Sequence, residues 1–218
     1  MQPNPAADSA SVSDARARIG VLASGEGTIL KALLDASGCG QLDAEVSIVI
    51  SNNGGSGALA KAQAASVRAV HLSSTTHPDA DELDAAILGA LREARVKLVL
   101  LAGYMKKIGP KTLAAYPGRV LNTHPALLPA YGGKGMYGRR LYESVLAADE
   151  KHTGITVHRV DGEYDHGTIV AQARVPILEG DDVERLSARV REVERRFVVR
   201  TLQALVHGRT PDGAPLID

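Results

Sequence analysis

The sequence predicts an open, doubly wound α/β domain whose mixed, mostly parallel sheet is flanked by helices, and three observations carry that expectation. Short apolar runs alternate with apolar stripes at helical spacing from Arg18 onward. The run VKLVLLA, centred on Lys97 to Ala102, is apolar nearly throughout, as expected of a central parallel strand covered by helices on both faces. Two late runs, GITVHRV and TIVAQARVPI, follow one another with no helix between them, so part of the sheet is expected to be antiparallel.

Taken in order, Ile19 to Ala23 reads as a strand, Ser24-Gly25-Glu26-Gly27-Thr28 as a glycine turn, and Ile29, Leu30, Leu33 and Leu34 as the buried stripe of a helix. The alternation returns with a strand at Val46 to Ile50, the turn SNNGGSG, a helix from Ala58 to Val67 and a strand from Arg68 to Leu72. A long helix spans about Asp79 to Ala94 and leads into the central strand. GRVLNTHPALLP then ends a strand in a proline-rich loop. The last helix starts near Asp182, carries Val183, Leu186, Val190, Val193 and Phe197 on one stripe, and stops at Gly208, a residue suited to a left-handed cap. This pattern is Rossmann-like. Ligands of such folds sit at the carboxyl ends of the parallel strands, and the motif-bearing loops are expected to begin there.

A chain of 218 residues, 44% hydrophobic and 23% charged, can bury one substantial core. Its 25 basic and 25 acidic side chains balance, which argues against nucleic acid or an acidic membrane as partner and favours small-molecule substrates. The only cysteine, Cys39, excludes an internal disulfide and a thiolate metal cluster, so a reducing, cytoplasmic setting is the simpler expectation. The opening MQPNPAADSASVSDARAR lacks the apolar block of a signal peptide and reads as a disordered tail, and no later run approaches membrane-spanning length.

The glycine turn can present backbone N–H groups at a helix N-terminus, where an anion is favoured. Leu30 stands where a dinucleotide fingerprint needs its third glycine, and Ser51 and Asn52 stand where its acidic residue belongs, which disfavours NAD. A Walker loop would need a Lys followed by Ser or Thr, and that pair is absent from this segment. A single phosphomonoester remains, beside the alternative that the turn only lets helix and strand pack closely.

Asn122-Thr123-His124 leaves a strand end ahead of Pro125 and Pro129, and strand alternation sends Asn122 and His124 to one side. An imidazole can move a proton near neutral pH and an amide can donate to a developing oxyanion, which are acyl-transfer roles. A histidine merely hydrogen-bonded at a strand end is the alternative. Asp165, in Tyr-Asp-His-Gly, is equally good turn chemistry. Thr156 and His158 alternate along the preceding strand and could line the same cleft as supporting partners; His158 could as well be structural.

In combination NTHPALLP, the downstream Asp165-His166-Gly167 and the opening SGEGT resemble the folate-dependent glycinamide ribonucleotide formyltransferases, and the resemblance runs from about Arg18 to Gly208. It implies a single formyltransferase domain over residues 17–209, with a phosphate-binding half to about 115, a catalytic and folate-binding half from about 116, and tails at 1–16 and 210–218. It implies that 10-formyltetrahydrofolate donates a formyl group to the amine of 5-phosphoribosylglycinamide in de novo purine (IMP) biosynthesis. The amine attacks directly and a tetrahedral intermediate expels tetrahydrofolate, with no covalent enzyme intermediate and no metal expected. Asn122 would stabilise the oxyanion, His124 would act as proton donor, and Asp165 would favour the imidazolium.

Carried over residue by residue, the resemblance places the phosphoribosyl part on Gly27, Thr28 and Ile29, with Arg191 and Glu194 reaching in from the last helix; on spacing alone those two read as a surface ion pair. It places the folate on Met105, Lys106, Lys107, Ile108, Asn122, Asp161 and Tyr164; without it MKKI reads as a helix start with solvated lysines. Where some relatives carry an arginine this chain has Ala80, with His77 nearby as a stand-in, and YGGKGMYG, residues 131–138, could form a lid. The rivals are methionyl-tRNA formyltransferase and formyltetrahydrofolate hydrolase, both expected to carry extra domains, and a noncatalytic phosphosugar-binding module. An exposed edge strand or helix face could support a homodimer.

Overall fold

The computed structural model describes residues 16–209; both expected tails, apart from Arg16, lie outside them. The elements run β1 (Ala17–Leu22), α1 (Thr28–Gly38), β2 (Ala44–Ser51), α2 (Gly57–Ala64), β3 (Arg68–His71), α3 (Ala80–Glu93), β4 (Leu98–Leu101), α4 (Pro110–Ala115), β5 (Val120–His124), α5 (Gly138–Ala147), β6 (His152–Arg159), β7 (Ile169–Pro176) and α6 (Val183–Val206). The strands form one seven-stranded sheet in the order β3-β2-β1-β4-β5-β6-β7. The first five in that order are parallel, and β6 and β7 each pair antiparallel with the preceding strand. The mixed α/β sheet is therefore as the sequence predicts, with VKLVLLA supplying its middle strand.

Two helices were not legible. α4 begins at Pro110, not at MKKI, and its first amides, Lys111 and Thr112, donate to the carboxylate of Asp84 on α3 at 2.7 and 3.1 Å. A buried acid on a neighbouring helix thus serves as its cap. α5 starts at Gly138, directly from the glycine-rich stretch read as a loop, and buries Leu141, Tyr142 and Val145.

Alternating strand residues feed two cores. On one face Ile19, Val21, Leu100 and Leu121 pack with α1, α2, α5 and α6, the last through Leu186, Val190 and Phe197. On the other Leu22, Ile48, Ile50, Val99 and Leu101 pack with Ile87 and Leu91 of α3. Among the described residues no helix is long and apolar enough to cross a membrane.

β1 lies between β2 and β4, so successive strands leave it in opposite directions and a crevice opens at the carboxyl ends of β1 and β4. Ser24 ties its rims together: its backbone N–H donates to the Gly103 carbonyl at 3.1 Å, its hydroxyl accepts from the Met105 N–H at 2.7 Å, and that hydroxyl donates to Asn52 Oδ1 at 2.5 Å.

Candidate active site

The glycine turn at the crevice ends in Gly27, the N-cap of α1, at φ 70° and with no side-chain cap for the helix amides that follow. A Cβ at Gly27 would meet Ala58 Cα at 2.8 Å, so both readings of this turn have a physical basis: it is a close-packing glycine, and it leaves N–H groups unoccupied by any side chain. Gly27→Ala is expected to cost about 1–3 kcal/mol, because strain and overpacking act together. Urea denaturation checks this, and an unchanged midpoint would refute it.

At the end of β5, Asn122 and His124 do share a face, and the fourth member of their group is His158 on β6, paired directly opposite Asn122. Asn122 Nδ2 lies 3.0 Å from His158 Nε2 and 3.4 Å from Asp165 Oδ1. His158 Nδ1 faces the Arg159 carbonyl at 2.9 Å. A carbonyl can only accept, so Nδ1 carries the hydrogen and, in the neutral ring, Nε2 accepts from Asn122. This fixes which way the amide points. One N–H is committed to His158; the other rests on the longer contact to Asp165.

The same reasoning fixes His124. Its Nε2 lies 2.8 Å from the Tyr131 carbonyl and must donate there, which leaves Nδ1, 3.5 Å from Asp165 Oδ2, as the nitrogen free to take a proton. The resemblance implies that Asp165 favours the imidazolium, and its charge does pull the ring that way, but burial outweighs this pull and that of the Tyr131 carbonyl and pushes His124 below the ordinary imidazole range. His124 is therefore mainly neutral at neutral pH. Asp165 is pushed up by burial, but His158, the His124 charge and the Gly133 N–H, which donates to Oδ2 at 2.9 Å, together hold it below the usual carboxylate range.

Asp165 reaches this group by a route the sequence did not suggest. Because β6 runs antiparallel to β5, its end at Arg159 lies beside Leu121, away from the carboxyl ends of the parallel strands. The 160–168 segment leaves from there and doubles back, closed at its base by Arg159 N–H donating to the Thr168 carbonyl at 2.9 Å. Gly167 is required at that base, since a Cβ would collide with the Arg159 carbonyl. Asp165 itself is held left-handed at φ 55°, a conformation that aspartate tolerates better than most residues.

Other expected residues fall into three places. Lys107 lies over the Tyr164 ring, Nζ 4.9 Å from its centroid, so the loop after β4 meets the 160–168 loop; Met105 and Tyr164 are among the most exposed large apolar side chains described. Ile29 and Ile108 are buried in the core, so towards a ligand they have only backbone groups to offer. Lys106 is exposed on the loop, and Asp161 bonds Glu163 N–H and His166 Nδ1, shaping the loop from within. Thr156, paired opposite His124, is fully buried: its hydroxyl donates to the Ala126 carbonyl at 2.7 Å and accepts from Leu128 N–H at 3.0 Å, propping the proline-rich segment after His124. His77 bonds the neighbouring Thr76 hydroxyl.

Glu194 is buried, not beside the stripe in solvent, and accepts from the Thr123 hydroxyl at 2.8 Å on the opposite face of β5. Among the described residues no ion pair joins it to Arg191, which is exposed one turn earlier. Burial raises the Glu194 carboxyl above its ordinary value of 4.5, against the Thr123 bond and the Arg191 charge. A carboxyl raised on folding favours the folded state below its unfolded pKa and loses that advantage as pH rises through the folded value. Glu194→Gln should therefore match or exceed the native protein in thermal stability at neutral pH and lack part of its decline above pH 4.5. A variant markedly less stable at neutral pH contradicts this.

A cleft that sets an amide, a proton-accepting imidazole and an anchored carboxylate side by side suits acyl transfer, and comparison with known proteins identifies its lineage. The family description "Formyl transferase" matches residues 17–202. The chain belongs to the formyl transferase family. It is 42% identical over 200 residues to the phosphoribosylglycinamide formyltransferase of Mycobacterium tuberculosis, covering 91% of this chain and 90% of that one. The crystal structure of glycinamide ribonucleotide transformylase 1 from Symbiobacterium toebii superposes with a TM-score of 0.82 at 39% identity, covering 89% of each chain. A formyltetrahydrofolate deformylase from Pseudomonas syringae shares the fold at a TM-score of 0.79 and 26% identity, with 91% of this chain covering 64% of that one. This formyl transferase is thus similar to enzymes of purine biosynthesis, and formyl transfer is its chemistry.

The sequence reading of the site missed Tyr131, Gly133 and Ser24. Each contributes through a backbone group or a link between loops. Only the glycine-rich stretch after Pro129 hinted at the first two.

Proposed function

We propose that this formyl transferase passes the formyl group of 10-formyltetrahydrofolate to the amine of 5-phosphoribosylglycinamide. The observation that supports this most is the convergence of Asn122, His124, His158 and Asp165 at one point of the cleft. The amine nitrogen forms a bond to the formyl carbon, and the carbonyl oxygen becomes an oxyanion. Asn122 gives it the N–H that rests only loosely on Asp165 in the free protein. His124 takes the proton shed by the amine on Nδ1, Asp165 stabilises the imidazolium so formed, and His124 returns the proton to the folate nitrogen as its bond to the formyl carbon breaks. Proton and electron pairs balance without an added base.

In the same reading the N–H groups of Gly27, Thr28 and Ile29, together with Arg191, bind the phosphoribosyl end, and Glu194, held by Thr123 behind β5, is left to the ribose hydroxyls and not to the amine that reacts at His124. Met105, Lys106, Lys107, Ile108, Asn122, Asp161 and Tyr164 hold the folate between the two loops that Lys107 and Tyr164 join. The setting is the cytoplasm, in keeping with an exposed cysteine, Cys39, that is unbridged.

The test mixes purified protein, formyl folate and phosphoribosylglycinamide and follows folate release by absorbance and the formylated ribonucleotide by mass. Equal amounts of both products are expected. Formate released at the same rate without the amine would replace this reading with hydrolysis.

A further inference from the structure

Beyond the cleft, a groove of about 1010 Å³ lies between α1 and α6, bordered by Lys61 of α2. Its floor is apolar, with Ala32, Ala36, Val199 and Ala204, whereas its walls carry Lys31, Lys61, Arg195, Arg196, Arg200 and Arg209 against a single carboxylate, Asp35. That concentration is notable in a chain of zero formal charge.

Some of this charge is neutralised. Lys31 bonds Asp35 at 2.6 Å, and Glu192, just outside, pairs with Arg195 and with Arg196 at 3.3 Å. Asp43 faces His207 at 2.7 Å, and Glu26 stands 3.9 Å from Lys61. Arg200 has no side-chain partner among the described residues, so the groove stays positive on balance.

The groove is also directional. One end is formed by Thr28, the first residue of α1, and by Lys61, whose ammonium donates to the Glu26 carbonyl of the glycine turn at 2.7 Å. Along α6, Arg191, Arg195 and Arg196, and Arg200 follow one another at about one-turn intervals, so the positive wall runs from the groove towards the expected phosphoribosyl site. A concave, low-dielectric surface of one sign focuses its field and raises the local concentration of counter-charged ligand.

We infer that the α1–α6 groove is an electrostatic antechamber that gathers the phosphate-bearing substrate and delivers it to the turn at Gly27 and Thr28. The inference rests on the phosphoribosyl reading of that turn. A phosphate monoester carries about two negative charges at neutral pH; the formyl folate is an anion too, so it is the groove's end at Thr28 and Lys61, beside the glycine turn, that assigns it to the phosphate-bearing reactant.

The experiment uses the full chain and the double substitution Arg196→Glu with Arg200→Glu, on exposed positions outside the catalytic group. At low ionic strength the KM for phosphoribosylglycinamide should rise about tenfold, with kcat and the KM for the formyl folate unchanged. The difference should vanish as salt screens the groove, and Arg196→Lys with Arg200→Lys should behave like the native protein, because charge and not geometry is at work. An unchanged KM with unchanged salt dependence overturns the inference. Dissociation of a native dimer by the same two glutamates overturns it too, making the groove a contact between copies. If the native protein turns over no phosphoribosylglycinamide, the function reading has failed, and affinity for inorganic phosphate then decides: weaker, less salt-sensitive binding in the glutamate variant supports the antechamber, and equal binding refutes it.

Discussion

His124→Ala is expected to lower the rate of formyl transfer by about 10²–10⁴-fold while leaving the fold and the binding of the phosphoribosyl substrate intact. The loss should be this large because, of the two buried rings His124 and His158, only His124 has a tautomer that leaves a nitrogen unbonded, with Nε2 held by the Tyr131 carbonyl and Nδ1 open beside Asp165. His158 cannot substitute, since both its nitrogens are engaged, by the Arg159 carbonyl and by Asn122. Deleting the buried imidazole also leaves the Tyr131 carbonyl without its donor, so modest destabilisation should accompany the rate loss. Single-turnover kinetics at saturating substrates separates the chemical step from binding. A variant within tenfold of the native rate would remove His124 from the proton path.

Asp165→Asn is expected to slow transfer by about a hundredfold, the lower end of a general acid–base contribution. The carboxylate opposes the burial that depresses His124, and its loss removes the partner of the imidazolium formed during attack. The Gly133 N–H can still donate to an amide oxygen, so the 131–138 segment keeps its anchor and the defect is electrostatic. The accompanying signature is a titration. The His124 ring, followed by NMR in the ligand-free protein, should have its midpoint below 6.5, and lower again in Asp165→Asn. An unchanged or higher midpoint in the variant would show that Asp165 does not act on His124.

How much of this was legible depends on which kind of information a residue type carries. The apolar runs defined all seven strands, because a strand buried on both faces leaves little room for polar residues, as Val99 to Leu101 illustrate. α4 is too short to show a period, and its cap is Asp84, on another helix and 26 positions before Pro110. α5 emerges from glycines that signal a turn equally well.

In the site, the alternation of Asn122 and His124 was sufficient to put them on one face. Spacing could not reveal that Thr123, pointing the other way, would meet a buried Glu194 across the sheet. Nor could it reveal the return path of 160–168, which follows from the antiparallel setting of β6. The Tyr131 carbonyl and Gly133 N–H are backbone groups, whose roles come from the path of the chain and leave no mark on residue type.

The central claim is that Asn122 and His124 act on one transition state. Single-turnover formyl transfer measured for the native protein, Asn122→Ala, His124→Ala and the double variant tests it most directly. Groups that act as a unit are not additive, so the double variant should be about as slow as the slower single variant. Rates that multiply across the two substitutions, or a double variant as fast as the native protein, would contradict it.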